Sequence, residues 1–77
     1  MTARKPDKLI VKALANLADE TDPLRRIRAA RVLQETATAL ERDVVLDART
    51  HGVTWSEIGK AYDMTKQAAQ QRFRGAR

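Results

Sequence analysis

Between Pro23 and Thr50 the chain contains no glycine and no further proline, so nothing in the backbone chemistry obliges it to stop being helical. Asp22 ahead of Pro23 supplies a capping side chain followed by a proline in the first helical position, and Gly52 stands where a helix of this length would end. One helix over 23–50 would be roughly 42 Å long at 1.5 Å per residue, too long for the rest of a 77-residue chain to cover. Along it Leu24, Ile27, Ala30, Leu33, Ala37, Leu40, Val44 and Ala48 fall three or four apart, a narrow seam that Val32, Val45 and Leu46 widen. A second copy is the expected cover, with Leu24, Ile27, Leu33, Leu40 and Val44 at a homodimer interface. The competing arrangement is a monomer in which the helix breaks near Thr36 to Thr38 and folds into a bundle.

Ahead of this run, a first helix is expected from about Asp7, where Leu9, Ile10, Ala13, Leu14 and Leu17 make a wide apolar stripe and Lys8 and Lys12 look outward. Residues 1–5 carry Arg4 and Lys5 without an apolar pattern and read as a basic tail. Arg25, Arg26, Arg28 and Arg31 crowd the start of the long helix, where the dipole disfavours positive charge. Neutralisation by Asp19, Glu20 and Asp22 is one answer; a DNA backbone or an acidic partner protein is another.

The formal charge of +5 and a pI near 10.2 favour a polyanionic partner. No apolar run is long enough to span a bilayer and no export signal opens the sequence, so the expected location is the cytoplasm. With no cysteine there is no thiolate for a metal site, and with a single histidine neither metal binding nor nucleophile and base catalysis is expected at His51. His51 is expected to meet the carbonyls at the end of the long helix. Neither an enzyme nor a cofactor is expected.

The stretch 54–74, TWSEIGKAYDMTKQAAQQRFR, holds all three aromatic residues of the chain. Thr54 and Glu57 have the spacing of a capping box, and Trp55, Ile58, Ala61 and Tyr62 recur at helical spacing. Gly59 weakens that helix by about 1 kcal/mol relative to alanine, and close approach of a second helix is the expected return. Thr65 is a good cap for a last helix with Ala69, Phe73 and Ala76 on one face and Lys66, Gln67, Gln70, Gln71 and Arg74 on the other. Lysine and arginine pair with phosphates or guanine edges and glutamine with adenine, so this face could grip and read a major groove.

The run WSEIGKAYDMTKQAAQQRF resembles the helix-turn-helix of sigma-factor region 4, and more closely the small sigma-like helix-turn-helix proteins of actinobacteria. Glu57, Ile58, Gly59, Tyr62, Met64, Thr65, Lys66 and Gln67 match the pattern. The resemblance covers about the last third of the chain. It departs at Asp63, where many such motifs have glycine, and at Arg72, where sigma factors carry isoleucine. It implies that Lys66, Gln67, Gln70 and Gln71 stand at the major-groove positions and that Thr65 takes a phosphate; Ser56, Lys60, Arg72 and Arg74 are further phosphate candidates.

The expectation is therefore an all-α chain of four helices. Residues 1–50 would form a dimerisation platform and residues 51–77 a helix-turn-helix, together one compact domain. Such a chain would bind double-stranded DNA as a homodimer at the bacterial nucleoid and regulate transcription. The rival expectations are a non-specific DNA-organising protein and a protein-interaction module of the adaptor or anti-sigma type.

Overall fold

The computed structural model describes residues 5–74, and among them there are four helices and no strand. They are α1 (Lys5–Asp19), α2 (Pro23–Thr50), α3 (Trp55–Ala61) and α4 (Lys66–Arg74). The expected tail at 1–4, and Ala76, lie outside the described residues. Lys5 already belongs to α1, whose first turn accommodates Pro6 because that turn lacks intrahelical partners for its amides.

α2 runs unbroken through its threonines. Thr36 Oγ1 donates to the carbonyl of Val32 at 2.7 Å and Thr38 Oγ1 to that of Gln34 at 3.0 Å. Satisfied this way, the hydroxyls do not compete with the helical backbone. Asp22 opens the helix: its carboxylate accepts from Arg25 N at 3.0 Å and its carbonyl from Arg26 N at 2.8 Å. The arginine cluster is accommodated differently from the expected neutralisation. Arg26 Nη1 donates to the carbonyls of Leu17 and Glu20, both at 2.8 Å, and so satisfies the end of α1 and the connector. Arg31 pairs with Glu35 at 3.4 Å on the open surface. Among the described residues no ion pair joins Arg25 or Arg28 to Asp19, Glu20 or Asp22.

The chain divides into two compact units, Met1–Glu41 and Arg42–Arg77, and the division falls inside α2. The residue pattern draws that line at residue 50; packing draws it earlier because Val45 belongs to the core of the second unit. In the first unit only Ala13 is buried among the described residues. Ile10 and Leu17 on α1, and Ala29, Leu33, Thr36 and Leu40 on α2, are half-buried. The less exposed stripe of α2 thus runs through Ala29 and Thr36 rather than through Ala30 and Ala37, which face solvent.

The second unit is built around Val45, Ile58, Ala69 and Phe73, with Val53, Trp55, Tyr62 and Met64 packed against them. α2 ends in a Schellman motif: Gly52 has φ +90°, its amide donates to Arg49 O at 3.1 Å, and Val53 N donates to Ala48 O at 3.1 Å. The position a Gly52 Cβ would take has nothing within 4 Å. α3 closes in the same way. Asp63 has φ +54°, its amide donates to Lys60 O at 3.3 Å, and Met64 N donates to Gly59 O at 2.9 Å. An aspartate tolerates the left-handed region better than most residues, so the turn forms without glycine.

That turn explains Gly59. A Cβ there would lie 2.7 Å from Met64 O and 3.1 Å from both the carbonyl carbon and oxygen of Thr65. Close approach of a second helix was expected; what approaches is instead the backbone of the turn leading into α4. Because backbone cannot step aside as a side chain can, Gly59→Ala is expected to destabilise the protein by about 1–3 kcal/mol in urea unfolding. Helix propensity alone would stabilise it by about 1 kcal/mol, so the sign of the change decides.

Candidate functional site

α3 starts at a full capping box. Glu57 N donates to Thr54 Oγ1 at 3.1 Å, and Thr54 N and Oγ1 both donate to Glu57 Oε1 at 3.0 Å. These bonds to the Thr54 backbone and side chain, with Lys60 nearby, hold the Glu57 carboxyl below its ordinary value. α4 is capped by Thr65, whose Oγ1 accepts from Ala68 N and whose carbonyl accepts from Ala69 N, each at 3.0 Å. Both short helices are therefore fixed at their starts by local side chains.

α3 packs on α4, burying Ile58 and Gly59 from one and Ala69 and Phe73 from the other. Ala69 is fully buried, at 0% exposure, and so sets how closely the fourth helix approaches the core. The rings of Tyr62 and Phe73 lie 5.4 Å apart at 53°, a tilted pair. At 100° per residue, the direction opposite Ala69 and Phe73 falls on Gln67, Gln71 and Arg74, all exposed. Lys66, also exposed, and half-buried Gln70 flank this group on one side.

Two of the four residues expected at base edges, Gln67 and Gln71, stand free on that face; Lys66, seven residues before Phe73, is exposed at the first turn on the Phe73 side. Gln70 is turned partly inward and lines a groove with Leu46, Trp55, Phe73 and Arg74. Ser56, Lys60, Thr65 and Arg74, the expected phosphate positions, are exposed. Lys60 and Thr65 also line a shallow depression with Asp63 and Met64, which brings α3 and the start of α4 to one surface. Arg72 is placed differently: its guanidinium lies over Tyr62 at 5.1 Å and Phe73 at 5.2 Å, folded back on the aromatic pair.

Arg49 is a further positioned cation that the sequence pattern did not single out. Its guanidinium lies 5.0 Å over the Trp55 ring, and Nη1 donates to Val53 O at 3.0 Å. A cation six residues before the only tryptophan was the available signal. His51 Nδ1 lies 2.8 Å from Asp47 O, at the carbonyl end of α2 where it was expected. Of the five residues expected at a dimer interface, Leu24, Ile27 and Val44 are exposed, whereas Leu33 and Leu40 are half-buried. No described helix is long and apolar enough to cross a membrane.

No family model matches the chain, and no solved structure matches it. It is similar to an uncharacterized protein of Mycobacterium bovis and to uncharacterized proteins of two strains of Mycobacterium tuberculosis, each 49% identical over 47 residues. The match takes in 61% of this chain and 19% of each relative, so it spans about a fifth of the length of these curated relatives.

The capping box carries a pH dependence that can be checked. A carboxyl held below its ordinary value of 4.5 stabilises the fold above that value, and the contribution is lost as pH falls through the lowered one. The protection factor of the Thr54 amide, taken relative to its intrinsic exchange rate, is expected to fall as the solution is acidified below 4.5. Glu57→Gln, which keeps an acceptor but cannot titrate, is expected to remove that acid-dependent step.

Proposed function

We propose that α3, the turn at Asp63 and α4 form a helix-turn-helix that binds double-stranded DNA, with α4 in the major groove. The observation that carries this reading is the outward face of α4. It presents Gln67, Gln71 and Arg74, with Lys66 exposed at the helix start and no acidic residue in the helix, while Ala69 and Phe73 anchor the opposite side. Cationic groups at both ends and amides between them suit a surface that must hold phosphates and hydrogen-bond to base edges. Gln67 and Gln71 are the leading base readers, with Lys66 and Gln70 beside them. Ser56, Lys60, Thr65 and Arg74 suit phosphate contacts, and Arg72 steadies the aromatic pair from which α4 projects. The resemblance of this stretch to sigma-factor region 4 supports the same assignment.

In this reading the protein is a homodimer whose two reading helices enter successive major grooves about 34 Å apart, favouring an inverted-repeat site. Regulation of transcription at the nucleoid is the corresponding role.

Selection from a random duplex pool, followed by anisotropy titration on the enriched sequence, tests the proposal. Wild-type protein is expected to enrich a two-fold symmetric site. Gln67→Ala with Gln71→Ala is expected to cost about 1–3 kcal/mol of discrimination per lost bidentate contact. Arg74→Ala is expected to weaken all sequences alike and lower the salt slope by about one. Binding without enrichment would favour a DNA-organising protein, and absence of salt-dependent binding would overturn the DNA reading.

A further inference from the structure

α1 carries a second apolar stripe beside its less exposed one. Val11, Leu14, Ala15 and Ala18 follow the spacing i, i+3, i+4, i+7 of a helix-pairing seam, and all four are exposed. Val11 is 65% and Leu14 55% accessible, although the unit they belong to buries only Ala13 among its described residues. A unit of this size with so little interior needs a further source of burial.

The charges beside the stripe indicate what covers it. Lys8, Lys12 and Asp19 are spaced by four and then seven residues, which places them along one edge of the stripe, and each is exposed. Among the described residues no ion pair engages any of them. The edge is thus basic towards the start of the helix and acidic at its end. Two such helices laid antiparallel bring like edges together with their directions reversed. With the centre between Leu14 and Ala15, Val11 lies opposite Ala18 and Leu14 opposite Ala15. Asp19 then falls opposite position 10, between Lys8 and Lys12 of the other copy. A two-fold axis repeats every contact, and the opposed helix dipoles also favour the antiparallel arrangement.

We infer that the Val11–Leu14–Ala15–Ala18 stripe of α1 is the surface on which a second copy of this chain docks antiparallel, with Asp19 of each copy set between Lys8 and Lys12 of the other. The inference rests on the proposed homodimer, not on DNA recognition. It places the pairing on α1 rather than on the start of α2. There, the exposed Leu24 and Ile27 sit among Arg25, Arg28 and Arg31, and copy against copy would meet with like charge.

Sedimentation equilibrium of the full chain without DNA is the test, with circular dichroism to follow helix content. Wild-type protein is expected to be a dimer that weakens with salt, and Leu14→Asp a monomer at the same concentration. Asp19→Lys alone, and Lys8→Glu with Lys12→Glu, are each expected to raise the dimer dissociation constant by about tenfold. Combining the three changes is expected to restore the wild-type value, a rescue that general damage to the fold would not produce. A dimer indifferent to these changes but dissociated by Ile27→Asp would overturn the α1 assignment and leave the homodimer standing. A wild-type monomer would overturn both. Anisotropy with DNA, run separately, reports on the reading helix whatever the oligomeric outcome.

Discussion

The second unit depends on how closely the backbone around Met64 approaches Gly59. With no side chain at residue 59, the carbonyl of Met64 can reach within 2.7 Å of where a Cβ would stand. The turn through Asp63 can then close on two hydrogen bonds to the end of α3. α4 leaves the turn at a fixed angle, and its buried residues, Ala69 and Phe73, meet Ile58 and Val45. The glycine weakens α3 as an isolated helix, and in return it admits the turn backbone at van der Waals range.

Burial is distributed unevenly. The second unit assembles a contiguous apolar cluster with an aromatic pair and two cations stacked on rings. The first unit is held by local devices: the Asp22 cap, the Arg26 guanidinium on the carbonyls of Leu17 and Glu20, and the half-buried residues of α1 and α2. Local opening free energy follows local burial, so the first unit is expected to exchange its amides faster than the second. A well-packed helix pair carries the candidate recognition residues, while the sparsely packed unit displays most of the large exposed apolar side chains.

The features legible in the sequence are those that short-range chemistry decides. The length of α2, the caps at Asp22, Thr54 and Thr65, and the ends at Gly52 and Asp63 each follow from residues within one turn of one another. The need for Gly59 was also legible, although not the identity of its neighbour. Periodicity did not tell which side of α2 is covered. Apolar residues occur around much of its circumference, and only the position of α3 and α4 makes Val45, rather than Val44, the buried one. In the sequence Arg26 and Arg72 stand out only as members of charged sets. Their actual partners, carbonyls nine and six residues away and a pair of rings, depend on where the chain turns. Helical spacing puts Gln70 on the outward face for the same reason, since its partial burial reflects the groove floor formed by Leu46, Trp55 and Phe73.

The glycines at 52 and 59 restrict evolutionary drift by unrelated physics. Around Gly52 there is room for any side chain, and only the torsion of +90° stands against one, so asparagine or aspartate are the replacements its geometry tolerates best. Gly59 sits in an ordinary helix, where torsion excludes nothing and the crowding carbonyl disfavours every side chain. A library randomised at both codons would therefore return a small polar set at the first and near-invariance at the second.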